Sequence, residues 1–291
     1  MTGVDEQPAG KGIRRASPVR QVLTLFGDYW WHVDEGLPTG ALVAVLGDLG
    51  LKEAAARATL TRMVRNGLLS AERSGRRTAH RLTARASAIV DEEAAWLDSF
   101  GVEEQPWDGL WSVLAFSIPE SQRAVRHLAR SRLRWLGFMP LYDGVWISPR
   151  NHAADAMAQL RELDVRDVTS MRASVETSIA GGPQAAWDLA SIADEYRSFA
   201  AAVAAVDQSA TPAAALAERT RLMLRWQAFR LLDNAIPREL VPEDWPRTAT
   251  RRQWVGHYNA MGAPAEQRVR AEITPISIEL AERVTVRRLR P

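Results

Sequence analysis

Leu51-Lys52-Glu53-Ala54-Ala55-Ala56-Arg57-Ala58-Thr59-Leu60-Thr61-Arg62-Met63-Val64-Arg65-Asn66-Gly67-Leu68-Leu69, with Arg73-Ser74-Gly75-Arg76-Arg77 close behind, spells a helix and then a hairpin. Ala56, Leu60, Met63 and Val64 recur at helical spacing and form one apolar face. Asn66-Gly67 closes the helix, since the turn that ends it needs a left-handed backbone. Leu68 to Glu72 and Ala79 to Leu82 read as short strands joined around Ser74-Gly75. With about 100° between successive residues, the side opposite the apolar face carries Ala54, Ala55, Ala58, Thr61, Arg62 and Arg65, and Arg57 lies at its margin.

Two helices precede this one. Ser17-Pro18 caps the first, which carries Val19, Val22, Leu23, Phe26 and Trp30. Gly36 and Pro38 interrupt, Thr39 is placed to cap the second, and Leu42, Val43 and Leu46 give that helix its apolar side. Three helices followed by a basic hairpin, over residues 17–83, are the pattern of a winged helix-turn-helix. Such a module lays its third helix in a DNA major groove. Ala54 and Ala58 are small enough for close approach to bases, Thr61 offers a hydroxyl, and Arg57, Arg62 and Arg65 reach guanine edges or phosphates. Arg73, Arg76 and Arg77, with His80 and Arg81 just after, suit the duplex backbone or minor groove. A double-stranded DNA operator is the expected partner.

Composition narrows the alternatives. A chain of 291 residues favours two or three domains. No apolar run approaches the ~20 residues of a membrane helix. Cysteine is absent, which removes disulfides, thiolate metal sites and cysteine nucleophiles. The formal net charge is only +2, so any nucleic-acid footprint is local. Lys11 and Lys52 are the only lysines; a GC-rich genome accounts for so much arginine more readily than function does, so its abundance alone proves little. Residues 1–16 are polar, have no apolar segment after their basic residues, and read as a disordered arm rather than an export signal. A cytoplasmic address is the default.

Beyond residue 83, a linker helix over 84–104 carries Ala86, Ile89, Val90, Ala94 and Leu97, and Glu103-Glu104-Gln105-Pro106 marks a boundary. Residues 105–180 read strand, helix, strand, strand, helix, strand, the ferredoxin-like βαββαβ order. Trp111 to Ile118 is its near-continuous apolar first strand, and Asp143-Gly144 its hairpin turn. Residues 181–291 form a helical C-terminal domain: Trp187 to Val206, Pro212 to Leu232, and a further helix around Trp254. Asp233 to Pro246 is an irregular connector, and Ile273 to Pro291 stays open between helix and strand. The fold class is α+β.

Three segments resemble the PaaX family of bacterial transcriptional repressors of phenylacetic acid catabolism. They are Leu23-Thr24-Leu25-Phe26-Gly27-Asp28-Tyr29 with the helix and hairpin after it; Trp107-Asp108-Gly109-Leu110-Trp111 with Leu133-Arg134-Trp135-Leu136-Gly137-Phe138 and Gly144-Val145-Trp146-Ile147-Ser148-Pro149-Arg150; and Ile236-Pro237-Arg238-Glu239-Leu240-Val241-Pro242-Glu243-Asp244-Trp245-Pro246. The resemblance implies a homodimeric repressor of aromatic-acid operons, released from DNA by an aryl-CoA thioester such as phenylacetyl-CoA. Two positions depart from the family pattern. Asn234 stands where proline is usual, and Arg247 where glycine usually follows Trp-Pro.

Nothing in the sequence asks for catalysis, a cofactor or a metal. Five histidines form no His-Glu-x-x-His and no i,i+4 pair. The middle segment also resembles the small ferredoxin-like proteins of CRISPR spacer integration, some of them metal-dependent nucleases with an aspartate at the end of the first strand. Here that strand ends Ala115-Phe116-Ser117-Ile118, without a carboxylate. A nuclease-like enzyme is the alternative reading. For an aromatic acyl effector, Trp135, Trp146, Trp245 and Trp254 are candidate stacking surfaces, and Arg134, Arg150 and Arg251 candidate phosphate ligands.

Overall fold

A computed structural model describes residues 17–75, 77–102, 106–207 and 211–291. Arg76, the arm 1–16 and the boundary residues Glu103, Glu104 and Gln105 lie outside the described residues. The fold is mixed, with helices and two antiparallel sheets, as α+β requires.

The first helix, α1 (Pro18–Tyr29), starts as its sequence directs: Ser17 Oγ accepts the Arg20 amide at 3.3 Å and Pro18 occupies the first turn. A two-residue strand β1 (Leu37–Pro38) precedes α2 (Thr39–Asp48). Thr39 does not cap α2. Its hydroxyl donates to the Thr78 carbonyl at 3.0 Å, tying the helix start to the hairpin. Next come α3 (Glu53–Arg65), the hairpin β2 (Leu69–Ser74) and β3 (Arg77–Leu82), and α4 (Ala84–Ser99). Gly67 sits at φ +67, where a side chain would be strained, and the Leu68 amide reaches back to the Met63 carbonyl. The first sheet has the order β1-β3-β2.

The second sheet is built from β4 (Trp111–Phe116), β5 (Met139–Tyr142), β6 (Val145–Ser148) and β7 (Val168–Ala173) in the order β5-β6-β4-β7, every pairing antiparallel. Between these strands run α5 (Arg123–Trp135) and α6 (Ala153–Glu162). Gly144 turns the β5–β6 hairpin at φ +78, where an added Cβ would stand 2.7 Å from the Phe116 carbonyl oxygen. Ala129 and Leu133 of α5 and Ala156 and Leu160 of α6 pack on Leu114 and Trp146 of the sheet.

The remaining helices are α7 (Leu189–Ala204), α8 (Pro212–Leu232), α9 (Arg247–Ala260), α10 (Gly262–Ile273) and the short α11 (Ile278–Glu282); residues 283–291 have no regular structure. The chain divides into two compact units. The first holds the described residues up to Val102, with Ser198–Gln227 and Thr248–Pro291; the second holds those of Glu103–Arg197 and Ala228–Arg247. The helices after residue 181 are thus shared between both.

In the first unit Leu216, Ala265, Val269, Ile273, Ala281 and Val284 join α1, α2 and α3 in one apolar core. A polar cluster lies beside it. Arg219, fully buried, donates from Nη1 to Asp28 Oδ2 at 3.3 Å and to the Tyr29 hydroxyl at 3.0 Å. Its Nε and Nη2 donate to the carbonyls of Tyr258 and Arg287. Its Cζ lies 3.7 Å from the Tyr258 ring centroid, and the Tyr258 hydroxyl donates to Asp28 Oδ1 at 2.7 Å. Burial pushes the Asp28 carboxyl upward against the pull of Arg219, and pushes the Tyr29 hydroxyl up to about 12. Removing one member of a buried pair strands the other, typically at about 3–5 kcal/mol. Arg219→Met, which keeps bulk and deletes charge, is expected to lower unfolding free energy by about that much in urea titration; a loss below about 1 kcal/mol, the scale of an exposed pair, would contradict this account.

Candidate nucleic-acid interface

The helix α3 is amphipathic as its spacing requires. Ala56, Thr59, Leu60 and Met63 are buried, while Ala54, Arg57, Ala58, Thr61, Arg62 and Arg65 are all exposed on the other side. Two details differ from the sequence reading. Val64 is only half-buried, and Thr59 takes a core position because its hydroxyl is satisfied by the Ala55 carbonyl at 2.8 Å. The Thr61 hydroxyl donates to the Arg57 carbonyl at 3.0 Å, so its oxygen is left as an acceptor toward solvent.

The arginines of this surface are in different states of readiness. Arg57 Nε donates to Glu53 Oε1 at 2.9 Å, an exposed i,i+4 pair worth little in water. Arg81, on β3, pairs with Glu72 of β2 at 2.8 Å. Arg73 donates to the Gly75 carbonyl at 3.2 Å, which holds the guanidinium against the hairpin turn. Arg62, Arg65 and Arg77 are exposed and make no hydrogen bond or ion pair with another described residue. The α3 face and the hairpin therefore present several cations against Glu53 and Glu72 alone.

His80 does not belong to this cationic surface. It is 6% exposed at the base of the hairpin, with Nε2 3.0 Å from Thr39 Oγ1. Because the Thr39 hydroxyl already donates to Thr78, it accepts from His80, which places the imidazole hydrogen on Nε2. Nδ1 is then a buried nitrogen without a partner, and burial lowers the pKa of the ring.

The candidate effector residues fall in both units. Arg134, Trp135, Trp146, Arg150 and Trp245 belong to the second, Arg251 and Trp254 to the first. Trp146 is core, Trp135 is 38% exposed with the Arg230 Cζ 4.5 Å from its ring, and Trp245 donates from Nε1 to Asp233 at 3.3 Å. Arg150 is half-buried; burial and the charges of Arg247 and Arg230 lower its pKa against the pull of Asp233. Arg134 is half-buried, and its Nε has no partner. In the first unit Trp254 is fully buried and stacked on Trp226 at 4.6 Å. Arg251 is 1% exposed, donates to the Arg290 carbonyl at 2.9 Å, and is brought down to about 10 by burial, with Asp98 opposing. The departures at 234 and 247 have structural partners. Asn234, at φ +49, donates to the Arg134 carbonyl at 2.9 Å, and Arg247 grips buried Asp233 through Nε and Nη2 at 2.8 and 2.7 Å.

Among the described residues no three His, Cys, Asp or Glu side chains converge as a metal site, and no helix is long and apolar enough to cross a membrane. What the structure presents is an α+β chain with a helix and hairpin on which cations outnumber acids among the described residues. Family models cover most of it in order: PaaX-like protein over residues 19–86, the PaaX protein central Cas2-like domain over 104–185, and the PaaX-like protein C-terminal domain over 187–271. The chain belongs to the PaaX family. It is 26% identical over 258 residues to the transcriptional repressor PaaX of Escherichia coli (strain K12), covering 84% of this chain and 80% of that one. Its fold is also similar to that of an uncharacterized protein, Rv0674, from Mycobacterium tuberculosis, with a TM-score of 0.57 and 23% identity over 86% of this chain and 96% of that one.

The environment of His80 makes the hairpin sensitive to acid. A depressed folded pKa means that the unfolded chain binds the proton more readily, so this contribution to stability is present above the unfolded value of about 6.5 and falls as pH drops below it. Protection factors for hydrogen exchange, taken relative to the intrinsic rate at each pH, are expected to fall at the β1–β3 amides on acidification through this window, and His80→Gln should flatten the dependence. Equal acid sensitivity in that variant would sink the assignment.

Proposed function

We propose that this chain is a DNA-binding transcriptional repressor in which α1, α2, α3 and the β1-β3-β2 sheet act as a winged helix-turn-helix. The observation that carries the reading is the exposed α3 face, with Arg62 and Arg65 unpaired, beside a hairpin with exposed Arg73 and Arg77. The kinship with a transcriptional repressor supports it. Ala54, Ala58 and Thr61 approach base edges, Arg57 and Arg62 select bases, and Arg65, Arg73, Arg76 and Arg77 hold phosphates. Exchange of the Arg57–Glu53 pair for a guanine or phosphate costs little, because the pair is solvent-exposed. The β5-β6-β4-β7 sheet with α5 and α6 serves as a ferredoxin-like domain that pairs two copies into a homodimer, acting in the cytoplasm on a near-palindromic operator.

Four arginine–phosphate contacts per subunit contribute a log–log salt slope of about −3.6. Arg62→Glu combined with Arg76→Glu is expected to abolish a gel shift on the DNA upstream of the chain's own gene while leaving circular dichroism unchanged. A folded wild-type protein that ignores every duplex at low ionic strength would refute the proposal.

For release, the reading is an aryl-CoA thioester bound in the second unit, with Trp135 offering an exposed ring and Arg134 and Arg150 offering cations short of partners. Arg150 lies in the field of Arg247 and Arg230 as well as of Asp233, a setting suited to an anionic ligand. Arg251 and Trp254 are the less favourable candidates, since both are enclosed in the first unit. Isothermal titration with phenylacetyl-CoA is expected to detect binding that Arg150→Ala weakens about tenfold or more, the scale of one charge-assisted contact. No heat with any aryl-CoA would remove this part of the reading.

A further inference from the structure

The helix α5 is the most cationic in the chain. It reads Arg123-Ala124-Val125-Arg126-His127-Leu128-Ala129-Arg130-Ser131-Arg132-Leu133-Arg134-Trp135 and has no acidic residue. Its apolar side, through Ala129 and Leu133, is committed to the sheet. Its arginines then divide into two sets. Arg126 bonds Glu120 and the Ile118 carbonyl, and Arg132 bonds Glu162 and the Gln159 carbonyl, so both are neutralised by their own unit. The other set is Arg123, His127, Arg130 and Arg134, at spacings of four, three and four residues. At helical pitch these fall within an arc of about 60° and run about 16 Å along the axis.

That stripe has one weak counter-charge among the described residues. Arg123 and His127 are exposed and have no hydrogen bond or ion pair to another described residue. Arg130 reaches only Asp143, at 3.7 Å, and that carboxylate is fully exposed. Arg134 Nε has no partner. A structural role for these side chains would have left them paired, as Arg126 and Arg132 are.

We infer that the outward stripe of α5 is a second duplex-DNA contact, which tracks one phosphate backbone. The occupant follows from charge and spacing. A single turn of α-helix advances about 5.4 Å, so successive cations meet a rod of regularly spaced negative charge. Arg123 has no ion pair to lose when it engages that rod, and the long, exposed Arg130–Asp143 pair is worth little in water. The contact is blind to sequence, because side chains that follow the phosphate backbone do not read base edges. It rests on the proposed DNA-binding function and extends it to a part of the molecule outside the helix and hairpin.

The test uses the full chain. Arg123→Ala with Arg130→Ala, both exposed, is expected to bind a long mixed-sequence duplex more weakly and to lower the salt slope by about two. Discrimination between the upstream DNA and mixed sequence should stay the same. Because the chain has no cysteine, His127→Cys gives a unique site for a DNA-cleaving reagent, and cuts are expected in the bound duplex. An unchanged slope in the double variant together with absent cleavage overturns the inference, and an acidic protein surface would then be the partner to seek. That outcome differs from failure of the DNA reading itself, in which the wild-type chain binds no duplex.

Discussion

The buried contact of Arg219 with Asp28 is the constraint on which the first unit is built. A guanidinium and a carboxylate, each withdrawn from water, carry a desolvation cost that their mutual attraction offsets only when the remaining donors and lone pairs are also satisfied. Here they are: Tyr29, Tyr258 and the carbonyls of Tyr258 and Arg287 complete the set. The arrangement is therefore exacting about position, and it fixes α1 with respect to α8 and α9. Further ties run the same way. Arg268 of α10 grips Asp48 at the end of α2 through Nε and Nη2 at 2.7 and 3.0 Å, and Gln227 accepts from Arg20 and Thr24 of α1. The amides of Thr285 and Arg287 bond the Tyr29 and Asp28 carbonyls.

These ties have a consequence for the exposed face of α3. A free-standing module of three helices and a hairpin would fix its reading helix only through its own small core. In this chain the core is shared with Leu216, Ala265, Val269 and Ile273, so α3 is held by residues up to the chain's far end. The position of α3 is therefore set by packed helices rather than by a flexible tether.

How far the sequence discloses this depends on how local each cause is. The boundaries of α1 and α3 are legible because Ser17, Pro18 and Gly67 act within a few residues of themselves. The second sheet is legible in outline for the same reason: the apolar run at Trp111 and the turn at Gly144 are local marks. The Asp28–Arg219 contact spans 191 residues, and no spacing rule links its members. Strand β1 is too short to carry a period of two, and the redirection of Thr39 to Thr78 depends on that pairing. Tryptophan content is equally mute about place: Trp254 and Trp135 look alike as residues, yet one is sealed in a core and the other is open.

Arginine illustrates why composition misleads here. A net charge of +2 describes a nearly neutral molecule, and an excess of arginine over lysine describes codon usage as well as it describes chemistry. Position separates the uses. Arg219, Arg247 and Arg268 are spent on Asp28, Asp233 and Asp48, so those pairs cancel inside their own units and contribute nothing to the outer field. On the α3 face and hairpin Arg57, Arg62, Arg65, Arg73, Arg77 and Arg81 oppose only Glu53 and Glu72, and the outward line of α5 has no acid of its own. The local field at these surfaces is strongly positive although the total is not, and it is the local field that a phosphate backbone meets within a screening length of about 8–10 Å.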